Sequence, residues 1–177
     1  MSWEINFLKY IIDNIHNDVI TSIMSVITAS GNNGLIWILI AVIFITFKKT
    51  RKIGITMSLS LVIIFTTVNV IIKPFIGRAR PFEVNTHILN NMLIELPGDS
   101  SFPSGHTAAA FAAATAVFCC NRKYGVFLLA PAFLMGLSRL YFAVHFPTDV
   151  IGGVIIGTAV GIISYKISVN FFKKYKK

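Results

Sequence analysis

Charge is scarce in this 177-residue chain. Only 13% of its residues are Asp, Glu, Lys or Arg and only seven are acidic, against 55% hydrophobic residues and a mean hydropathy of +0.73. That balance excludes an ordinary soluble domain and suits one compact integral membrane domain. Cysteine is nearly absent as well. Cys119 and Cys120 are adjacent at the end of an apolar run, with no cysteine elsewhere to close a loop, and are expected to be packing residues. The opening residues lack a basic stretch followed by a long apolar one, so no cleavable signal peptide is expected. The net charge of +9 suggests a nucleic-acid partner, but the basic residues cluster beside apolar runs, where membrane topology accounts for them. No nucleic acid is expected.

What is abundant is apolar sequence in helical lengths, and the expected fold class is all-α, a polytopic transmembrane helical bundle forming one domain over residues 1–177. Near the N-terminus Ile5, Leu8, Ile12 and Ile15 recur at helical spacing opposite Glu4, Lys9, Asp13 and His16, the pattern of an amphipathic surface helix. Residues 19–29 are apolar but short, since a span needs about 20 residues. Residues 3–30 are therefore read as interfacial helices. Five spans follow in a catalytic bundle over 34–172, with six as the alternative: 34–47, 53–72 ending at Lys73-Pro74, 104–120, 125–142, and one within 147–172. The last carries Gly152, Gly153, Gly157 and Gly161 at spacings that permit close helix approach. Residues 74–102 form a long polar connection, and such loops are usually functional.

Topology follows from the basic residues. The ends at 48–52, 121–123 and 173–177 carry Lys48, Lys49, Arg51, Lys52, Arg122, Lys123, Lys173, Lys174, Lys176 and Lys177, whereas the alternate ends carry Lys73, Arg78, Arg80 and Arg139. The positive-inside rule puts the first group and the C-terminus in the cytoplasm and the second group outside.

The outer ends carry the chemistry. Arg139, His145 and Asp149 lie between two apolar runs, where charge is costly unless paired or facing a water-filled cavity. Pro147 suits the first position of a helix, which places Asp149 in the first turn, within reach of one ring nitrogen of His145. The plainer alternative is that His145 and Asp149 cap a helix while Arg139 reaches the headgroups. Pro103-Ser104-Gly105-His106 opens another span, where Ser104 can cap, Gly105 lets backbone approach a ligand, and first-turn N–H groups favour an anion. With Lys73 and Arg80 added, the inventory is three cations, one helix N-terminus and two histidines, which suits a phosphate. A metal held by His106, His145 and Asp149 is the competing reading. It is less favoured because three cations repel a divalent ion but complement a phosphoryl transition state.

These residues resemble a known signature. Lys73, six residues and Arg80-Pro81; then Pro103-Ser104-Gly105-His106; then Ser138-Arg139, five residues, His145, three residues and Asp149 are similar to the tripartite motif of the type 2 phosphatidic acid phosphatases, relatives of vanadium haloperoxidases and glucose-6-phosphatase. All eleven fixed residues and their spacings match, over about residues 50–165. The resemblance implies a helical bundle and a metal-free lipid phosphatase or diphosphatase without cofactor. It implies that His145 attacks phosphorus to form a phosphohistidine, that Asp149 orients it, and that His106 protonates the leaving oxygen. Lys73, Arg80, Ser104, Gly105 and Arg139 would hold the phosphoryl oxygens. Arg78 lies outside the signature and is read as a possible second-phosphate or headgroup contact, while His16 and His87 are read as solvated loop residues. The expected partners are the bilayer and a lipid phosphate, foremost undecaprenyl diphosphate of wall-carrier recycling, with phosphatidylglycerophosphate or phosphatidic acid as alternatives. A non-catalytic lipid-binding or lipid-moving protein is the reading from another class, and the presence of both histidines counts against it.

Overall fold

The computed structural model describes residues 2–174; Lys176 and Lys177 of the basic C-terminal cluster lie outside the described residues. Among the described residues ten α-helices are formed: α1 (Ser2–Ile15), α2 (Asp18–Ser30), α3 (Leu35–Thr46), α4 (Arg51–Phe65), α5 (Lys73–Ile76), α6 (Pro81–Val84), α7 (Thr86–Asn90), α8 (Gly105–Cys120), α9 (Arg122–Tyr141) and α10 (Pro147–Lys174). No strand occurs among the described residues.

Helix α8 is the axis of the bundle, with α4, α9 and α10 packed around it. Its alanines explain this: Ala108, Ala110, Ala112, Ala113, Ala114 and Ala116 are fully buried, so neighbouring backbones come close on every side. Against it α10 sets Gly153, Gly157 and Gly161, where a Cβ would meet Ser104 O at 2.9 Å, the Ala108 carbonyl and Thr115 Cβ respectively. Gly152 turns to another side and rests against the Phe102 ring. Because α8 is enclosed by protein, its 16 residues suffice where a lipid-facing span needs about 20.

Two segments differ from the sequence reading. Helix α3 has 12 residues, about 18 Å at 1.5 Å per residue, too short to cross a bilayer alone. Helices α2 and α3 meet the length and apolarity of a span only together, bent by 54° at residues 31–34, so the second N-terminal piece pairs with the first expected span. The second departure is at Lys73-Pro74, where the helix does not end. Residues 66–72 wind as a π-helix, Lys73 N donates to Val68 O, and helical geometry runs through Pro74 to Ile76 before Gly77 turns left-handed. A proline cannot donate to the preceding turn, and the wider π register absorbs the missing bond. Among the described residues three helices are long and apolar enough to cross a membrane, or four if the bent pair counts as one span.

Helix α1 caps one end of the bundle. It buries Leu8, Ile11 and Ile12 against α7 and the α9–α10 corner, and exposes Trp3, Phe7 and Tyr10, the aromatics expected at a membrane interface. The amphipathic reading misplaced two residues. Ile15 is exposed, and Glu4, assigned to the polar face, is 3% exposed because it has charged partners inside.

Candidate active site

The three signature stretches converge at the end of the bundle beneath α1. Lys73 sits where the π-helix passes into α5, Arg80 is the N-cap of α6, and Arg139 ends α9. All three are nearly buried, at 8%, 2% and 4% exposure. Arg80 is fixed on two sides: Nη1 donates to Val144 O at 2.6 Å and Nε donates to Asp99 O at 2.8 Å. Arg139 Nη1 donates to the Thr28 hydroxyl of α2, while its Nε is buried without a partner.

Between α9 and α10 the chain turns through Ala143, whose φ of 47° is in the left-handed region, and this turn carries His145 inward to 1% exposure. His145 Nε2 lies 3.5 Å from Arg80 Nη1, and Nε2 therefore faces the cations. Burial, followed by the opposing pull of Asp149 and then by the charges of Arg80 and Arg139, leaves the imidazole pKa well below its usual range, at about 4. The ring is neutral at ordinary pH and keeps a lone pair.

Asp149 occupies the first turn of α10 behind Pro147, as the proline implied. Its carboxylate is shared more widely than expected. Oδ2 accepts from Ser101 Oγ at 2.5 Å and from Phe146 N at 2.8 Å, and Oδ1 accepts from Arg78 Nη1 at 2.5 Å. His145 Nδ1 stands 3.6 Å from Oδ2, without a hydrogen-bond partner. The four donors compete for one carboxylate, and the neutral imidazole stands off.

Arg78 does not lie on the cavity wall. Its guanidinium spans Asp149, the Thr148 hydroxyl at 2.7 Å and Glu4 at 3.0 Å, and it stacks over the Phe146 ring at 4.3 Å. Glu4 Oε1 also accepts from Thr148 Oγ1 at 2.6 Å. Arg78 therefore belongs to a buried ion network behind His145, which corrects the headgroup reading: a guanidinium with two carboxylates has little left for a ligand.

Ser104 also differs from its expected role. It is the residue preceding α8, but its hydroxyl accepts from Thr107 Oγ1 at 2.9 Å rather than from a backbone N–H. The first-turn N–H groups, which have no partner within a helix, are thus left for an anion. Gly105 is loosely packed: an added Cβ would make only ordinary contacts, 3.9 Å from Lys73 Nζ and Asn69 Oδ1 and 4.0 Å from Val68 Cγ1. His106 Nε2 lies 3.1 Å from Asn32 Oδ1 in the α2–α3 bend. An amide oxygen only accepts, so this contact puts the proton on Nε2. Of the other histidines, His87 is exposed and contacts Asp13 at 2.9 Å, but it sits on the short helix α7 rather than in a loop. His16 is half-buried, with Nε2 2.8 Å from Tyr141 O and its ring against that tyrosine, because it ties the α1–α2 turn to the end of α9.

Sequence reasoning missed Asp99, Ser101, Thr28, Asn32 and Glu4. Asp99 is the most consequential, since it bridges Lys73 and Arg80, with Oδ1 accepting from Arg80 Nη2 at 2.6 Å. The available signal was the scarcity of acids: in a chain with seven, one placed shortly before Pro103-Ser104-Gly105-His106 is informative. Among the described residues no three His, Cys, Asp or Glu side chains converge as metal ligands.

A cavity of about 1070 Å³ joins this cluster to an apolar wall. Lys73, Arg80, Arg139, His106 and His145 line it together with the apolar side chains of Ile38, Leu61 and Phe65. A buried cation cluster with two histidines, opening on a hydrophobic groove in a membrane bundle, defines a lipid phosphatase. The family comparisons agree: residues 52–173 match the PAP2 superfamily, and the chain belongs to it. It is 34% identical to undecaprenyl-diphosphatase BcrC of Bacillus subtilis over 86% of this chain and 77% of that one. It is 35% identical to an undecaprenyl-diphosphatase of Sulfolobus acidocaldarius over 75% and 63%. The crystal structure of a PAP2-type phosphatidylglycerolphosphate phosphatase from Bacillus subtilis superposes with a TM-score of 0.75 at 25% identity, covering 99% of this chain and 87% of that one. Aquifex aeolicus LpxE superposes with a TM-score of 0.70 at 30% identity, over 89% and 92%.

Proposed function

We propose that this protein removes the terminal phosphate of a polyprenyl diphosphate, foremost undecaprenyl diphosphate, at the extracytoplasmic face of the membrane. The observation that carries the reading is the continuity of the cavity, which offers cations to a diphosphate and an apolar wall to a long hydrocarbon tail. In the first step the Nε2 lone pair of His145 attacks the terminal phosphorus. The P–O bond to the leaving phosphate breaks, and His106, protonated to the imidazolium when the anionic substrate is beside it, delivers that proton to the departing oxygen. Lys73, Arg80, Arg139 and the first-turn N–H groups of α8 hold the phosphoryl oxygens, where charge gathers in the transition state. As His145 becomes cationic, its Nδ1–H gains a reason to close the 3.6 Å gap to Asp149. Water, activated by the now neutral His106, then hydrolyses the phosphohistidine to free phosphate.

The outward orientation rests on the ten basic residues gathered at the opposite helix ends, against four at the site end. Phosphatidylglycerophosphate is the second reading, favoured by 30% identity to phosphatidylglycerophosphatase B of Bacillus subtilis over 91% of this chain. Phosphate release in detergent from undecaprenyl diphosphate, phosphatidylglycerophosphate and phosphatidic acid decides between them. The polyprenyl diphosphate is expected to have the highest kcat/KM. A higher value for phosphatidylglycerophosphate would install the second reading, and release from none would end the enzymatic one.

A further inference from the structure

The cation cluster already holds an anion. Lys73, Arg80 and Arg139 are each less than a tenth exposed, and cations at that depth require negative charge close by. Asp99 supplies it. Lys73 Nζ donates to one carboxylate oxygen and Arg80 Nη2 donates to the other at 2.6 Å. Two oxygens of one acid thus engage the two cations that, in the proposed reaction, hold phosphoryl oxygens. The carboxylate is not sealed in: its side chain is 52% exposed, on the irregular connection between α7 and α8. Burial alone would raise its pKa, but the hydrogen bonds and charges of Lys73 and Arg80 outweigh burial and hold it down at about 2. It is a full anion at any working pH.

We propose that Asp99 is a specificity-determining residue, a resident counter-anion on Lys73 and Arg80 that a terminal phosphoryl group displaces and a phosphodiester does not. The proposal rests on the phosphatase reading above. Discrimination follows from charge. A terminal phosphate carries about −1.5 to −2 near neutral pH, so putting it in the place of a carboxylate increases the attraction of three cations. A phosphodiester carries a single negative charge, exchanges like for like, and brings two esterified oxygens to a cluster suited to free ones. Such discrimination matters at a cavity with an apolar wall, because the surrounding bilayer is itself built of phosphodiesters.

Asp99→Asn keeps the side-chain shape and removes the charge, while Asp99→Glu keeps the charge. Two measurements on the full chain in phosphatidylcholine–detergent micelles test the proposal. The first is orthovanadate binding, read from the shift in melting temperature and therefore independent of turnover. The second is the KM for farnesyl diphosphate as phosphatidylcholine is replaced stepwise by phosphatidylglycerol, an anionic phosphodiester. Asp99→Asn is expected to bind vanadate about tenfold more tightly, because a like charge a few ångströms from the anion is gone. Phosphatidylglycerol should raise its KM severalfold, an effect absent in the wild type and in Asp99→Glu. Vanadate affinity equal to or weaker than wild type in Asp99→Asn, or equal phosphatidylglycerol sensitivity in all three proteins, would overturn the proposal and leave Asp99 a tether for Lys73 and Arg80. If Asp99→Asn does not fold, Asp99→Ser undergoes the same titrations under the same criteria. A wild type that binds vanadate but releases phosphate from no lipid would defeat the function reading alone, with the vanadate arm still judging Asp99.

Discussion

His145 and His106 share one cavity but are held differently, and their removal should fail differently. His145 is fully enclosed with Nε2 toward the cations, whereas His106 rests on Asn32 in the α2–α3 bend. In the proposed reaction His145 is the nucleophile, so His145→Ala should abolish turnover on every substrate. His106→Ala deletes only proton delivery, a loss of about 10²–10⁴-fold that should shrink on a substrate with an activated leaving group such as para-nitrophenyl phosphate. Equal residual rates for the two variants on that substrate would mean the roles are misassigned. The same burial has a consequence for stability. The folded imidazole titrates at about 4 and a free one near 6.5, so between these values the unfolded chain binds more protons and stability falls as pH falls. The drop in melting temperature from pH 7 to pH 5 should therefore be smaller in His145→Ala than in the wild type. Arg78 is the other residue with a sharp expectation. Arg78→Met leaves Glu4 and Asp149 buried without their cation, a loss of about 3–5 kcal/mol. Combining it with Glu4→Gln should cost less than the sum of the two single variants in thermal unfolding, since they share one network.

At the scale of elements, the α8–α10 contact and the α2–α3 bend carry the site. Gly157 meets the Ala108 carbonyl and Phe111 Cβ, so there is no room for a side chain unless the helices part. Gly157→Leu should destabilise by about 3 kcal/mol or more and lower activity through lost protein, because Ser104 and Asp149 sit at the adjoining helix ends. Gly105→Ala is the useful contrast. Its Cβ meets Lys73 Nζ, Asn69 Oδ1 and Val68 Cγ1 only at ordinary contact distances of 3.9–4.0 Å, so the fold should persist with an unaltered melting temperature while KM rises. A melting temperature that fell as far in Gly105→Ala as in Gly157→Leu would show that the glycine serves packing rather than ligand approach. The α2–α3 bend was illegible because each half is a tolerable helix alone; only their relation brings Asn32 of the bend to His106 and Thr28, near the end of α2, to Arg139.

For the whole molecule, charge distribution and site placement make a joint prediction. A cysteine at Asn85, in a chain with Cys119 and Cys120 replaced, should react with an impermeant thiol reagent in intact cells, since α6, α7 and His145 lie at the same end of the bundle. Labelling only after lysis would reverse the orientation. Phosphate release should also survive chelator and be inhibited by vanadate, because Lys73, Arg80 and Arg139 provide the positive charge a metal would otherwise bring. Abolition by chelator with rescue by one metal ion would restore the metal reading of His106, His145 and Asp149.

By itself the sequence determined the class of molecule and marked most of the residues that the fold brings together at the candidate site. Apolar runs of helical length cannot rest in water, and charges embedded beside them must converge or face a cavity, so Lys73, Arg80, His106, Arg139, His145 and Asp149 stood out before any fold was known. The small-residue face of α10 was legible for the same reason, as a fixed helical period on one strip. Tertiary structure alone decided who holds whom. That Arg78 serves Glu4 and Asp149, that Asp99 sits on Lys73 and Arg80, and that Asp149 is shared among Ser101, Arg78 and Phe146 are facts about distances, all but the last between residues 19 to 74 positions apart. Periodicity and spacing report which face a residue occupies on its own element. They carry no information on which partner the packing of other elements brings within 3 Å, and in a low-dielectric interior that partner decides what a charged side chain is free to do.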